Sequence, residues 1–569
     1  MKLTPDQQAM LAGDRGAAKQ MAMRLLVDLG TAAGAPRLVP VVAAHVSGVS
    51  PLTGGHGLTT FLERLGDDAQ VAVETTLNSA GCDSRCWREM GATADYVARQ
   101  KRILDAYAQL GVRLTLSCTP YEATATPLPD GVGAWAESNA VCYANSYTGL
   151  RTNRDSGLSA LAAAICGCTP DYGLLRDEHR TANLLVEVEC ELAEPVDFSV
   201  LGDWIGKQLS PGLALPWGPV PHFRGVGAAS HESRKALSAA AANYGCALLY
   251  LDEPPAADYR ATLRFTAAEL AARYAELAPR HRVDLVVIGC PQASPGEVRV
   301  AAELVRGRTL PAGRLWVFTA ARHWDALRDE VAAIEAAGGM VLRDTCPEVV
   351  HYDRACVNHI LTNSLKAEHY LQSGLNSMPT SVAPLADCIA HAADPALAGD
   401  GRASASGGAL PHAAVHRSAK TPQAGELSLA GSGIESQDAW VIEGEALVTD
   451  VPLTFLGFVN RRTGVVEEPG HPLDGQSIAG RVLVFPRGSG SSVAPYVLLG
   501  LLYRDRGPLA VVNTALDQQT LPACSLLGVP YAHSFDADPC LALNSGDRVR
   551  LELRDGAVAL EVLARGLKA

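Results

Sequence analysis

The sequence predicts an α/β protein with a large layered amino-terminal region and a small β-rich domain at its carboxyl end. Three observations predict it. Up to about residue 390, short apolar runs alternate with alanine-rich helical stretches, the pattern of helices layered on largely parallel sheets. Between residues 393 and 437 the composition turns to Gly, Ala, Ser and Pro without an apolar period, as in Gly399-Asp400-Gly401-Arg402-Ala403-Ser404. Strands then return and end in two alternating runs joined by Asp555-Gly556, a hairpin signal. The expected organisation is a catalytic-size region over residues 1–392, a flexible linker over 393–437 and a domain over 438–569. At 569 residues the chain exceeds one ordinary core, since domains average roughly 150 residues.

The elements follow in order. Thr4-Pro5-Asp6-Gln7 has helix-start character, and no apolar segment of a signal peptide follows it. Leu38–Ala43, Val71–Val73 and Val112–Leu116 read as strands, and Leu158–Ile165 as a helix. Thr266-Ala267-Ala268-Glu269 is a capping box with Phe265 and Leu270 placed as a hydrophobic staple, so a helix starts there. Val283–Ile288 and Met340–Arg343 read as strands, and Ser294-Pro295-Gly296-Glu297 opens a helix with proline at its first position. In the small domain, strands are expected at Ala439–Ile442, Gly480–Phe485 and Leu509–Val512, with the hairpin Arg548–Leu553 and Ala557–Val562.

The net charge of −13 argues against a diffuse nucleic-acid-binding surface as the main function. No apolar run approaches the ~20 residues of a membrane span, so the expectation is a cytoplasmic protein with neither a nucleic-acid nor a membrane partner. The oligomeric state is left open, with a monomer compatible. Fourteen cysteines without a secretory signal read as buried thiols or metal ligands rather than a disulfide framework. Neither Cys82/Cys86 nor Cys166/Cys168 is half of a paired zinc pattern, and His231-Glu232 lacks the second histidine of a zinc helix.

Three cysteines share a setting. Cys118, Cys290 and Cys346 each lie just past the carboxyl end of a predicted strand, where open α/β sheets bind ligands, and each is followed by Thr-Pro or Pro. Proline fixes φ and stiffens such a turn, although Cys168-Thr169-Pro170 repeats the tripeptide after a helix. Three thiolates from separate loops can hold an iron–sulfur cluster and leave one iron open as a Lewis acid. On spacing alone, buried thiols beside turns explain the trio at least as well.

Pro486-Arg487-Gly488-Ser489-Gly490-Ser491-Ser492 runs from a strand into the apolar helical stretch Tyr496–Leu502. Its glycines let the backbone approach a ligand, and amides at a helix start favour an anion, although a serine-capped turn is the commoner meaning. No Gly-Lys-Ser/Thr follows, so it is not a nucleotide loop. Near the amino end, His45-Val46-Ser47-Gly48-Val49-Ser50 and Thr75-Thr76-Leu77-Asn78-Ser79 have strand-end placement and small polar side chains, suited to a small polar substrate or to ordinary turns.

Together these segments resemble aconitase X, a branch of the aconitase superfamily. The likeness rests on Ser47-Gly48-Val49-Ser50, Thr76-Leu77-Asn78, Cys118-Thr119-Pro120-Tyr121, Ala136-Glu137-Ser138-Asn139-Ala140, Arg151-Thr152-Asn153-Arg154, Gly289-Cys290-Pro291, Asp344-Thr345-Cys346 and the Gly-Ser loop, in order along nearly the whole chain. The resemblance implies an aconitase-like, multi-layer α/β catalytic region bearing iron and a swivel domain fused at the carboxyl end. It implies Cys118, Cys290 and Cys346 as metal ligands. Ser491 is implied as the base, and Gly48, Val49, Ser50, Asn78, Ser79, Arg487 and Ser492 as substrate-binding residues. Cluster nuclearity stays open between [2Fe-2S], [4Fe-4S] and a single iron.

The activity implied is dehydration of a small hydroxy acid. The fused form looks like the bacterial type, which resembles cis-3-hydroxy-L-proline dehydratases forming Δ1-pyrroline-2-carboxylate through an enamine; archaeal members act on mevalonate 5-phosphate. A dehydratase of another hydroxy acid and a non-catalytic iron–sulfur sensor or carrier are the alternatives. The chain departs from the family pattern twice. It has Asn78-Ser79 where the family usually reads Asn-Pro, and its loop arginine, Arg487, stands two positions before the family's, away from the place where that arginine would hold a carboxylate.

Overall fold

A computed structural model describes residues 1–66, 68–123, 128–209, 218–373, 375–394, 396, 427–434, 437–489 and 491–566. Most of the expected linker, including Gly399–Gly408, and Gly490 of the Gly-Ser loop lie outside the described residues.

Two parallel sheets frame the site. In the first, strands run in the order Glu74–Leu77, Ala43–Val46, Gly131–Trp135, Leu150–Arg151. In the second the order is Met340–Arg343, Leu315–Thr319, Leu285–Ile288, Ile360–Thr362, Thr380–Val382. The strand Leu285–Ile288 is buried along its whole length, which is why it reads as an unbroken apolar run. In both sheets the chain starts in the middle, builds to one side and then crosses to the other. Each sheet therefore has a switch point, where the loops leaving two neighbouring strands part and open a crevice. The crevice of the first lies beyond Val46 and Trp135, that of the second beyond Ile288 and Thr362.

Between them in sequence is a three-stranded parallel sheet, Pro221–Arg224, Ala182–Val188 and Ala257–Phe265. The helix Ala267–Leu277 starts at the expected capping box of Thr266 and Glu269, and Pro295–Val305 starts at that of Ser294 and Glu297. The small domain is a closed barrel in the order Ser428–Gly433, Tyr531–His533, Ala510–Asn513, Val482–Phe485, Trp440–Val448, Arg548–Arg554, Ala557–Ala564.

Four local readings differ. Ser428–Gly433 falls inside the expected linker but is a barrel strand paired with Ala557–Ala564 and Tyr531–His533. Its glycines are packing residues: a Cβ at Gly431 would stand 2.7 Å from the Phe535 ring, and one at Gly433 2.6 Å from Leu553. Val112–Leu116 is no strand, because only Arg113 bridges to Thr76 and Leu116 turns to φ 47°. The strand expected at Val71–Val73 begins at Glu74, so Thr75 and Thr76 lie within it, as His45 lies within Ala43–Val46. Leu38–Ala43 divides into Leu38–Pro40, antiparallel to Cys168–Pro170, and the start of Ala43–Val46.

The barrel does not stand apart. Its helix Ala494–Leu502 crosses the helix Pro51–Arg64 where Gly57 meets Gly500; a Cβ at Gly57 would lie 2.0 Å from the Tyr496 carbonyl oxygen. One apolar core runs from Met23, Leu26 and Leu58 through Leu498, Leu499 and Leu521.

Candidate active site at two sheet crevices

The two crevices and the barrel enclose one cavity of about 1310 Å³. The first sheet contributes Gly48, Val49, Asn78 and Glu137, the second contributes Cys290, Cys346, Glu348 and Lys366, and the barrel contributes Ser489 and Ser491. Cys118 reaches the same wall from the segment that follows the Thr76–Arg113 bridge.

The three cysteines converge although 228 positions separate the first from the last by number. All are buried, and Cys346 lies in side-chain contact with both Cys118 and Cys290. Cys118 Sγ also accepts the Gln292 amide at 3.2 Å, and the Cys290 thiol donates to Glu348 Oε1 at 2.8 Å. Burial pushes the Cys290 thiol up to about 12, and contact with Cys346 followed by burial pushes Cys118 well above its ordinary value. The bare chain thus holds them as thiols, and a metal group would take them as thiolates, releasing protons. Among the described residues no three His, Cys, Asp or Glu side chains are arranged around the position of a single ion. The donor set, three cysteine sulfurs from separate loops at one cavity wall, fits an iron–sulfur group in which different irons take different thiolates.

Beside the thiols is an ionic network. Lys366 Nζ donates to Glu137 Oε1 at 2.6 Å and to Asn139 Oδ1 at 2.5 Å, and lies 3.9 Å from Glu348 Oε1. Asn78 Nδ2 donates to Glu137 Oε2 at 2.6 Å, and Asn139 Nδ2 to the Cys118 carbonyl at 2.9 Å. Burial disfavours the Glu137 charge, but Lys366 and Asn78 outweigh it and hold the carboxyl below its usual range. Burial likewise works against the Lys366 charge, but Glu137 and Glu348 raise its ammonium well above the ordinary value. Glu348, unlike Glu137, is shifted upward, by burial.

The loop serines separate by their partners. Ser492 Oγ donates to the Ala136 carbonyl and meets Ser47 Oγ at 3.0 Å, pinning the barrel to the first sheet. Ser489 Oγ meets Thr454 Oγ1 at 2.6 Å. Ser491 lines the cavity, and among the described residues its Oγ accepts only a long bond from the Val493 amide at 3.5 Å. Of the other expected residues, Gly48, Val49, Asn78 and Ser79 are on the cavity wall, and the buried Ser79 hydroxyl has no hydrogen-bond partner among the described residues. Gly48 has φ 93°, and a Cβ there would stand 2.2 Å from the Tyr496 ring. Three are not on the wall. Ser50 caps the helix Pro51–Arg64 through the Leu52 amide and donates to the Val349 carbonyl at 3.0 Å; Ser492 is engaged as above; Arg487 is exposed.

Sequence reasoning gave no role to Glu137, Asn139, Glu348 or Lys366. Glu137 and Asn139 sit in a stretch quoted for the resemblance, and both Glu137 and Lys366 follow switch-point strands. Lys366, like Cys290, lies past a strand's end, but that strand, Ile360–Thr362, has three residues and shows no period.

Comparison with known proteins agrees with this layout. Family models described as the aconitase X first, third and swivel domains match residues 1–178, 283–394 and 436–560. The phosphomevalonate dehydratase large subunit of Methanothermobacter thermautotrophicus is 39% identical over 377 residues, 64% of this chain and 92% of that protein. The cis-3-hydroxy-L-proline dehydratase of Pseudomonas aeruginosa is 32% identical over 416 residues, 68% of this chain and 69% of that protein. The crystal structure of Thermococcus kodakaraensis aconitase X in its holo-form superposes with a TM-score of 0.61 at 33% identity, covering 69% of this chain and all of that one. With cysteine loops, ionic network and barrel serines meeting at one cavity, and with these likenesses along its length, the chain belongs to the aconitase X family of dehydratases.

Proposed function

We propose that the enzyme is a hydro-lyase that converts cis-3-hydroxy-L-proline to Δ1-pyrroline-2-carboxylate, with Ser491 as the base. The observation that carries the reading is that Ser491, alone among the described serines of its loop, presents a weakly engaged hydroxyl to the cavity that Cys118, Cys290 and Cys346 line. An iron–sulfur group on those three thiolates would supply Lewis acidity toward the substrate's 3-hydroxyl.

In cis-3-hydroxy-L-proline the hydroxyl and the carboxylate share a ring face, so the Cα hydrogen is on the other and the elimination can be anti. Ser491, as its alkoxide, takes that proton, the C–H electron pair forms the C2–C3 double bond as the C3–O bond breaks, and the departing hydroxide takes a proton from solvent to leave as water, Ser491 later returning its own. The enamine product tautomerises to the cyclic imine. A serine is a base only where its alkoxide is stabilised, and Ser491 lies at the start of the helix Ala494–Leu502, with the Val493 amide directed at its oxygen. Lys366 holds Glu137 and Asn139, and Glu137 holds Asn78, so the wall is fixed before the substrate arrives.

A second reading has its own support. Arg280 is exposed at the cavity's rim, where a phosphorylated hydroxy acid such as mevalonate 5-phosphate would find positive charge. Anaerobically purified enzyme offered a panel of hydroxyproline isomers and mevalonate 5-phosphate decides between them. The first reading expects turnover of the cis-3-hydroxy-L isomer; turnover of the phosphate ester alone would replace it with the second.

A further inference from the structure

Arg487 is outside the cavity, Lys366 is committed to Glu137 and Asn139, Arg273 is paired with Asp203 and Glu276, and Arg280 stands exposed at the rim, so none of these is an enclosed, uncommitted cation for the substrate's carboxylate. The barrel carries another arginine in an unusual setting. Arg461 stands in a loop closed by the antiparallel bridge of Val459 to Val466. Both arms of that loop form cavity wall, Leu456–Phe458 on one side and Glu467–Pro469 on the other. Its guanidinium enters the seam between the barrel and the first sheet's body. Nη1 lies where a Cβ on Gly55 would be 3.0 Å away, two residues along from cavity-lining Thr53. Gly55 has φ 54° and breaks the helix Pro51–Arg64, so glycine is required there for the turn as well as for the room.

Among the described residues, the enclosed Nη2 of Arg461 has no hydrogen-bond partner and no carboxylate pairs with the group. Burial lowers its pKa to about 10, and the one nearby opposing influence is the Tyr96 hydroxyl, which is itself tied to Ser50. An enclosed guanidinium nitrogen without an anion is costly to a fold, and a cavity walled by Thr53 and by the residues flanking the Arg461 loop offers a reason to keep it.

We propose that Arg461 is the group that binds the anionic oxygens of the substrate, delivered by the barrel when it docks. The inference rests on the dehydratase reading for the ligand's identity, and it needs the side chain to turn from Gly55 past Thr53, a rotamer change of the kind common on binding.

The test compares holoenzyme and its Arg461→Met and Arg461→Lys variants by calorimetric titration with pyrrole-2-carboxylate, its neutral carboxamide and inorganic phosphate. Arg461→Met is expected to bind pyrrole-2-carboxylate roughly 10²-fold more weakly. It should bind the carboxamide as the wild type does and melt no lower, since it loses an unpaired charge. Arg461→Lys should recover part of the affinity, and KM should rise more than kcat falls. Unchanged pyrrole-2-carboxylate affinity in Arg461→Met would overturn the proposal, as would equal weakening for acid and amide. A wild type that binds phosphate through Arg461 but not pyrrole-2-carboxylate would keep the arginine's role and overturn the hydroxyproline substrate.

Discussion

Two adjacent hydroxyls, Ser491 and Ser492, face different surroundings, and the difference predicts different variants. Ser491→Ala removes a group with one long bond among the described residues, so the fold and any iron absorbance should be unchanged while turnover falls by about 10²–10⁴-fold, the usual loss for an acid–base group. Ser492→Ala removes a strut between the barrel and the first sheet, so it should lower the melting temperature and affect turnover less. Exchange of the substrate's Cα hydrogen with solvent is the measurement that separates them; wild-type exchange in Ser491→Ala would place the base elsewhere. A second residue-scale prediction concerns Asp155, whose carboxyl burial pushes up to about 7 against a donated bond from Ser159. A carboxyl with its folded pKa above its unfolded one adds stability below pH 4 and loses it as pH rises through about 7. Asp155→Asn should therefore flatten the fall in melting temperature between pH 4 and pH 7, and an unchanged pH profile would mean that the group titrates normally.

Among the elements, those with local chemistry of their own were legible in the sequence. The capping boxes at Thr266 and Ser294 and the Asp555-Gly556 hairpin are set by residues within four positions of each other, and they occur where the pattern places them. Ser428–Gly433 was not legible, because its Gly, Ser and Ala content looks like a linker until Phe535 and Leu553 are seen to need those glycines. Cys290 and Cys346 were visible as strand-end residues before proline, whereas Cys118 follows a segment with a single bridge to Thr76 in place of the strand expected there. Lys366 was not, since nothing near it in sequence announces that Glu137, 229 positions away, will be its partner. At this scale the crossing of the helices Pro51–Arg64 and Ala494–Leu502 gives a third prediction. Gly57→Ala puts a methyl group against the Tyr496 carbonyl, and overpacking of this kind costs about 1–3 kcal/mol. Thermal unfolding should register it, whereas Gly34→Ala, with open space around its Cβ and φ 68°, should show only the smaller backbone penalty.

Over the whole molecule, the site exists only where three bodies meet, and the cysteines provide a readout for two of them. Replacing Cys118, Cys290 or Cys346 singly by serine should abolish iron–sulfur absorbance, and a variant that keeps the full spectrum is not a ligand. The barrel's part is tested by cutting the chain. Its core is continuous with that of the first sheet's body, from Leu26 and Leu58 to Leu498 and Leu521, and the Ser492–Ala136 and Ser525–Asp28 hydrogen bonds cross the same seam. An interface with a shared apolar core and cross-bonds should hold without a covalent tether. Two pieces coexpressed with the break between residues 394 and 427 should copurify and retain activity, with Gly57→Ala shifting their association toward the free pieces. Pieces that elute separately, or a stable pair without turnover, would mean that the connecting segment does more than join the barrel to the catalytic region.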